Sequence, residues 1–307
     1  MSADSSLPIA RPAALQPATG ILLLLGAVAC FSCIDSSAKW LNRVGDPWQT
    51  VAVRYLGSFL LVSACFNPWT RPGLLRTRRP LLQCGRALCL VVATLGCFFA
   101  LRHLPLTKLT SIIFAAPLIV ALLAGPLLGE TIGPRRALAV LVGFAGILVV
   151  TRPFGGGMHP AALLALLTAG ANALYSLMTR KLAAYDPPET TMFYTGLVGT
   201  AVTLPLLPWV WTTPTNLQAW LAMGAIGTFG ALGHWLLILA HRHAPSSMLA
   251  PYFYAQIVTS TLLGWVIFHE LPDRWTLVGA VIVIGSGLYL FYRERVRQAS
   301  PSADVAT

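Results

Sequence analysis

The sequence predicts an all-α integral membrane protein with ten transmembrane helices, arranged as two inverted five-helix repeats. Three observations lead to this fold class: an apolar composition, ten long apolar runs and an internal duplication. Of the 307 residues, 56% are hydrophobic and 10% are charged, and the mean hydropathy is +0.71. An ordinary soluble domain carries about 25% charged residues, so we expect most of this chain to lie within a lipid bilayer.

Each of the ten apolar runs can form a helix that crosses the membrane, since one crossing takes about 20 mostly apolar residues. The connectors between them are short and contain turn-forming residues, as in YDPPE at 185–189, so no soluble domain fits between the spans. The predicted spans cover residues 18–38, 47–67, 83–101, 107–128, 137–152, 159–180, 190–211, 217–240, 247–268 and 275–292.

Lysine and arginine are unevenly distributed between the two sides of these spans. If the N-terminus is cytoplasmic, the cytoplasmic side holds 14 of the 21 basic residues, the opposite side holds six, and Arg54 falls inside a span. This bias predicts a multi-pass protein of the cell inner membrane with both termini in the cytoplasm. Segment 1–17 is expected to be disordered and 293–307 to be a basic cytoplasmic tail. The net charge of +11 then reflects topology and contact with the lipid bilayer, and no nucleic-acid partner is expected.

The duplication is visible when residues 100–130 are aligned without a gap on residues 240–270. Nine of the 31 aligned pairs are identical, against about three expected by chance in so apolar a composition, which indicates an internal repeat. The first repeat then spans 18–152 (helices 1–5) and the second spans 159–292 (helices 6–10). Because five is an odd number, the two repeats must insert with opposite orientations. Inverted repeats of this kind recur in secondary transporters, where the substrate binds near the midplane between the halves.

Two stretches also carry a family resemblance. The segment RHLPLTKLTSIIFAAPLIVALLAGPLLGETIGPRRALAVLVGFAGILVV and its echo RHAPSSMLAPYFYAQIVTSTLLGWVIFHELPDRWTLVGAVIVIGSGLYLFYRER resemble the two halves of the EamA family of the drug/metabolite transporter superfamily. The resemblance implies a ten-helix inner-membrane carrier whose central cavity is lined mainly by helices 1, 3, 4, 6, 8 and 9. Members carry amino acids, nucleotide-like compounds, vitamins such as riboflavin, S-adenosylmethionine or small metallophores. The second half has Ile257 where the family has proline, so a helix break near Pro117 need not have a counterpart there.

Charged residues inside the spans are the first candidates for function, because burying a charge in a bilayer is costly. Asp35 and Lys39 lie one helical turn apart, and Arg54 lies in the facing part of the next span. Together they form either a charge cluster near the outer mouth that takes substrate or a coupling proton, or an Asp35–Lys39 pair with Arg54 reaching outward. Glu130 and Glu270 end the fourth and ninth spans beside basic turns, with which we expect them to pair.

Polar and aromatic side chains predict the wall of a cavity for a small organic ligand. His234 is also a candidate proton carrier, because histidine titrates near neutral pH. No group of side chains has metal-ligand spacing, and we expect neither a metal nor a cofactor. The remaining candidate contacts are Ser111, Phe114, Asn172, Tyr175, Tyr252, Tyr254 and Gln256.

Taken together, these patterns predict a secondary active transporter that exports a small organic metabolite, such as an amino acid, an amino-acid derivative or a vitamin-like solute, by alternating access. The alternative is import of a vitamin or nucleoside-like metabolite such as riboflavin or S-adenosylmethionine. Two further alternatives are a membrane-embedded lipid-modifying enzyme and a non-transporting sensor. The sequence has no phosphate-binding loop, which excludes ATP-driven transport by this chain. It also has no nucleophile elbow and no paired catalytic carboxylates, so no enzymatic activity is expected. A proton is a possible coupling ion, and the sequence leaves the oligomeric state open.

Overall fold

The computed structural model describes residues 17–65, 72–128, 134–153, 159–182, 184–244 and 246–299, and within these ranges the chain is helical with no β-strand. Short 3-10 helices cover Pro72–Leu75, Leu204–Leu206 and Ala250–Tyr254. The α-helices are α1 (Pro17–Leu41), α2 (Pro47–Cys65), α3 (Pro80–Leu101), α4 (Leu106–Ile113), α5 (Ala116–Leu128), α6 (Pro134–Thr151), α7 (Ala161–Leu182), α8 (Pro188–Thr203), α9 (Leu207–Val210), α10 (Leu217–His243), α11 (Ser246–Leu249), α12 (Ala255–Phe268) and α13 (Arg274–Ala299).

The described ranges contain seven helical stretches that are long and apolar enough to cross a membrane, and a shorter apolar helix covers Ala137–Thr151. Large aliphatic side chains are exposed on the outside of the bundle, for example Leu141 at 66% and Val281 at 70%. A soluble protein would bury such side chains, whereas lipid tails solvate them as well as a protein core does. The described residues therefore form the helical bundle of a membrane protein.

Proline residues begin helices and also interrupt them. Five of the described α-helices start with proline, which supplies a helical φ where its missing N–H would have no partner. In the fourth span α4 ends at Ile113, and α5 resumes only after a turn at 114–115. Pro117 accounts for this break, because it cannot donate to Ile113 and its ring would clash with that carbonyl.

The ninth span is interrupted as well, although Ile257 replaces the proline of the family. Here the 3-10 segment Ala250–Tyr254 separates α11 from α12, and it contains Pro251. The second half thus has a break as well, which the sequence had left open because of Ile257. Proline simply acts two turns earlier in the chain.

Close pairing between helices far apart in sequence builds the bundle. The most extensive contacts join α1 with α10, α6 with α13 and α3 with α7, while α2 packs against both α8 and α10. Glycine allows the closest of these approaches. A Cβ on Gly57 of α2 would lie 3.1 Å from the Cα of Gly227 on α10, so the two backbones touch there.

Contacts between connecting segments define two ends of the bundle. At the Lys39 end, named after the last buried cation of α1, Asn42 donates from Nδ2 to the Phe98 carbonyl at 2.6 Å. The rings of His103 and His159 stack there with centroids 4.9 Å apart. The α1–α2 and α3–α4 connections and the start of the α7 segment thus meet at one end.

Two more contacts join this end. An ion pair links Arg152, just after α6, to Asp273, just before α13, with a distance of 2.6 Å between Nη2 and Oδ2. Gln49 near the start of α2 donates from Nε2 to the Thr212 carbonyl at 2.9 Å. The segment between α9 and α10 therefore lies at the Lys39 end too.

The opposite end is organised around Asp186, in the connection between α7 and α8, and we call it the Asp186 end. The Asp186 carboxylate accepts hydrogen bonds from the Thr77 hydroxyl and from Gln83 Nε2, the latter at 3.0 Å. The start of α1 and the end of α10 also meet away from the Lys39 end, since a Cβ on Gly20 would come within 2.7 Å of the Ala244 side chain.

Candidate functional site

A cavity of about 450 Å³ lies inside the bundle, between its two ends. Its walls come from α1, α3, α4, α5, α7, α10, the 3-10 segment before α12 and α12 itself, with single contributions from α2 and α13. These are the walls that the family resemblance implies, apart from Arg54 of α2 and Phe291 of α13. Eight of the predicted candidate residues line this cavity, namely Asp35, Arg54, Phe114, Asn172, Tyr175, His234, Tyr254 and Gln256.

The two sides of the cavity differ in exposure. Lining residues nearest the Lys39 end, such as Cys97 and Phe98, are buried. Among the lining residues nearest the Asp186 end, Phe291 is half-buried and Ser176 is exposed, whereas Leu90 is buried. The cavity is therefore closed more tightly toward the Lys39 end.

Arg54 contributes a cation to the cavity wall. It is only 8% exposed, its Nη1 donates to the Thr94 hydroxyl at 3.2 Å, and its guanidinium lies 4.9 Å from the centre of the Tyr55 ring. Both contacts are neutral groups, and Nε has no hydrogen-bond partner in the described part of the chain. Nη2 makes no hydrogen bond to a described residue either, and its two N–H groups can bind an anion.

Asp35 faces the same cavity and interacts electrostatically with Arg54. The Cys97 thiol lies 3.8 Å from Oδ1 of Asp35 in donor geometry. Lys39 makes no ion pair with Asp35. The predicted Asp35–Lys39 pair is therefore wrong, and Asp35 and Arg54 form the charged part of the cavity without Lys39.

Lys39 lies instead in a separate pocket of about 210 Å³ at the Lys39 end. Its Nζ is 2.5 Å from Oε2 of Glu270 and donates to the Leu104 carbonyl at 3.0 Å. We expected Glu270 to pair with Arg274, but the Arg274 guanidinium stacks on the ring of the neighbouring tryptophan. Glu130, for which a similar pair was predicted, lies outside the described residues.

Aromatic rings form much of the remaining cavity wall. His234 packs against Phe31 with ring centroids 5.2 Å apart, and Tyr254 packs against Phe114 at 4.8 Å. The Tyr254 hydroxyl is buried without a hydrogen-bond partner among the described residues. It rests against Gly287, where any Cβ would overlap it. The hydroxyl therefore packs against α13 and is closed off from the cavity.

Tyr175 brings a second buried arginine to the edge of the cavity. Arg86 donates from Nη2 to the Tyr175 hydroxyl at 2.6 Å, and its guanidinium lies 4.4 Å from the centre of that ring. Nε and Nη1 donate to the hydroxyls of Thr179 and Thr195, at 2.6 and 2.7 Å. Arg86 therefore fixes the position of Tyr175, and it leaves the Tyr175 hydroxyl proton free to bind an acceptor inside the cavity.

Sequence reasoning missed the role of Arg86, because Arg86 follows several loop arginines and was counted with them. Its position in the second turn of α3 is the signal that could have identified it. Besides Lys39, two further candidates lie outside the cavity. Ser111 is fully buried and donates to the Thr107 carbonyl at 2.7 Å, and Tyr252 is 39% exposed on the 3-10 segment.

Comparison with known proteins gives a family match over most of the chain. The sequence profile of the EamA-like transporter family matches residues 18–152 and 159–292. A solved crystal structure superposes with a TM-score of 0.63 at 21% identity, covering 93% of this chain and 100% of the other, so the two share a fold.

The similar curated proteins are transporters of different solutes. The S-adenosylmethionine uptake transporter of Rickettsia prowazekii (strain Madrid E) is 28% identical over 281 residues, or 92% of this chain and 95% of the relative. The riboflavin transporter of Vibrio cholerae is 28% identical over 278 residues, or 90% and 93%. The pseudopaline exporter of Pseudomonas aeruginosa is 30% identical over 273 residues, or 87% and 93%.

Proposed function

Because this chain belongs to the EamA-like transporter family, we propose that it is a secondary transporter that moves a small organic metabolite across the bacterial inner membrane by alternating access. One observation carries the proposal, namely the cavity of about 450 Å³ between the two ends of the bundle. Its size lies in the range of small-molecule sites, and its wall combines apolar and aromatic groups with a few polar ones, as ligand sites do.

We further propose ten membrane crossings that form two inverted repeats. The connections between helices alternate between the Lys39 end and the Asp186 end wherever the chain is described, as ten crossings require. If each helix is replaced by its counterpart in the other repeat, the α1–α10 pair becomes the α7–α3 pair. The α6–α13 and α2–α8 pairs remain the same pairs. This pattern supports a pseudo-two-fold axis in the membrane plane.

On the distribution of basic residues, we assign the Asp186 end, where α1 begins and α13 ends, to the cytoplasm. The tighter closure of the cavity toward the Lys39 end then supports a cytoplasm-facing state. In the opposite state the Lys39 end must open, so the contact of Lys39 with Glu270 must break.

Both export, which the sequence predicts, and uptake can use this one cavity, since alternating access works in either direction. The Rickettsia relative is named an uptake transporter and the Pseudomonas relative an exporter. Uptake is therefore the second candidate. A proton carried on Asp35 or His234 is the proposed coupling ion, because both side chains line the cavity and can gain and lose a proton.

Efflux from proteoliposomes tests the proposed function while the substrate is still unidentified. Vesicles containing the purified protein are filled with a bacterial metabolite extract, and the compounds released are identified by mass spectrometry. We expect at least one small metabolite to leave faster than from protein-free vesicles. Identical release from both kinds of vesicle would contradict the proposal.

A further inference from the structure

The pocket that contains Lys39 is polar and positively charged, unlike the central cavity. It measures about 210 Å³ and lies where the α1–α2 connection, the α3–α4 connection and the segment after α12 meet. Six of its eight lining residues are polar or charged. Lys39, Arg43 and Arg102 are cations, and Glu270 is the one anion among the described residues that line it. These four side chains carry an excess of two positive charges.

The carboxylate of Glu270 is already used by Lys39. Lys39 is 7% exposed, and its Nζ lies 2.5 Å from Oε2 of Glu270. The same Nζ also donates to the Leu104 carbonyl. The buried cation of the pocket is therefore compensated, and the excess charge belongs to the two arginines.

The side chains of Arg43 and Arg102 are exposed and keep their hydrogen-bond donors. The Arg43 guanidinium lies 4.7 Å from the centre of the Phe268 ring, and Nζ of Lys39 lies 5.2 Å from the same centre. Neither guanidinium forms an ion pair or a hydrogen bond within the described part of the chain. The aromatic ring thus holds Arg43 beside the pocket, while its N–H groups stay available for an acceptor.

We propose that this pocket binds a doubly charged phosphate group between the guanidinium groups of Arg43 and Arg102, next to Lys39. A phosphate monoester carries about −1.5 to −2 charges near neutral pH, which matches the excess charge of the pocket. The planar fork of an arginine binds phosphate through two parallel hydrogen bonds. The pocket also has room, because a water molecule takes about 30 Å³ in the liquid. The inference holds whichever solute the central cavity carries.

A phosphate group bound here would join two connections of the bundle. Arg43 belongs to the α1–α2 connection and Arg102 to the α3–α4 connection. An anion between them holds these connections together and so favours the closed form of the Lys39 end. Because the unfolded chain has no such pocket, the anion should also stabilise the folded protein.

Thermal unfolding of the purified protein in a neutral detergent measures this binding. The probe is inorganic phosphate near neutral pH, titrated at constant ionic strength against sodium chloride, because salt screens every exposed charge. We expect phosphate to raise the unfolding midpoint until the site is saturated. Acetate neutralises only one of the two excess charges, and it should bind about 10-fold or more weakly.

Two variants assign the binding to the arginines. Arg43→Gln and Arg102→Gln should each weaken phosphate binding about 10-fold to 100-fold, which is the effect of losing hydrogen bonds to a charged group. Both side chains are exposed, so both variants should fold, and their midpoints without phosphate check this. Arg274→Gln is the control, since it removes an exposed charge at the same end but outside the pocket. It should bind phosphate like the wild type.

A second comparison identifies the source of the phosphate group. The same proteins are unfolded in micelles containing phosphatidic acid, whose headgroup is a phosphate monoester, and in micelles containing phosphatidylcholine. If inorganic phosphate stabilises the wild type and the control but not the two pocket variants, the site takes a soluble phosphate. If only phosphatidic acid has this effect, the site takes a lipid headgroup. Both results support a phosphate site.

Three results would overturn the inference. The first is that neither phosphate source stabilises the wild type beyond sodium chloride or phosphatidylcholine. The second is that acetate binds as tightly as phosphate. The third is that either pocket variant binds like the wild type, or that Arg274→Gln weakens binding as much as they do. The proposed transport function does not depend on these results, since release from proteoliposomes tests it separately.

Discussion

Asp35 and Lys39 lie four residues apart, yet their side chains belong to different sites. Spacing along a helix predicts a shared face and hence a possible pair. Lys39 is one turn closer to the helix end, where Glu270 and the Leu104 carbonyl offer a better set of acceptors. Which partner Lys39 takes depends on how α12 packs against α1. The sequence of α1 alone does not predict this packing.

Substitution of Arg86 tests whether this buried arginine positions Tyr175 in the cavity wall. In Arg86→Met, Tyr175 loses its anchor, so we expect a higher KM for transport. Thr179 and Thr195 still donate to backbone carbonyls of their own helices. The loss of stability should therefore be modest, about 1–2 kcal/mol, because the buried charge is removed together with its bonds.

Arg86→Lys is the informative companion variant, since lysine keeps the charge but lacks the fork of donors. It should also raise KM. Transport kinetics and thermal unfolding midpoints check both variants. An unchanged KM in Arg86→Met would remove Arg86 from the site and leave it a purely structural residue.

Asp186, outside the membrane spans, gives a pH-dependent prediction. Burial alone would raise the pKa of Asp186, but hydrogen bonds from Thr77, the Arg78 N–H and Gln83 lower it below the ordinary value of 3.8. Because the pKa of Asp186 is lower in the folded protein than in the unfolded chain, its ionised carboxylate stabilises the fold. This stabilisation is complete above the unfolded-chain pKa and is lost as the pH falls through the folded-state pKa.

At neutral pH, Asp186→Asn should therefore destabilise the protein by about 1–3 kcal/mol, since a group that accepts three hydrogen bonds is altered. The difference should vanish toward about pH 3 or below. Thermal midpoints of both proteins across this range provide the measurement. A difference that stays constant with pH would show that the ionised carboxylate is not what stabilises this end.

At the scale of helices, most boundaries could be predicted because prolines and apolar runs mark them. The predicted span 83–101 compares with α3 at Pro80–Leu101, and the whole run is helical. The seventh span was less regular than predicted. Pro205 and Pro208 turn its last part into a 3-10 segment and the short α9. Apolar periodicity reports burial in lipid, but it does not show where proline interrupts the hydrogen bonds of a helix.

The contact of α1 with the end of α12 predicts strong coupling between Lys39 and Glu270. Lys39 is 7% exposed, so Glu270→Gln leaves a buried cation with only a carbonyl and a neutral amide. We expect a loss of about 1–3 kcal/mol, below the value for fully buried pairs because Glu270 is partly exposed. Lys39→Met combined with Glu270→Gln should recover much of it.

A double-mutant cycle on thermal or chemical unfolding measures this coupling. Stability changes that simply add in the double variant would mean that the two side chains do not interact. The link would then not hold the Lys39 end closed.

For the whole molecule, the sequence could predict a helical membrane protein with related halves, because composition and the repeated segment both act over long ranges. It could also single out Asp35 and Arg54, since charges inside apolar spans are rare. It could not separate Ser111, which packs within the bundle, from Asn172, which faces the cavity. Both are polar residues in apolar helices, and only the packing of several helices determines which of the two lines the cavity.

The most direct test of the transport cavity compares two tryptophan substitutions on α7. Asn172→Trp would fill the cavity, whereas Leu174→Trp places the same side chain on the outer surface, where Leu174 is 37% exposed. The measurement is metabolite release from proteoliposomes, with thermal midpoints showing that both variants fold. We predict that Leu174→Trp releases metabolites like the wild type and that Asn172→Trp loses at least about 90% of the rate, a tenfold effect of roughly 1.4 kcal/mol. Wild-type release by a folded Asn172→Trp would contradict transport through this cavity.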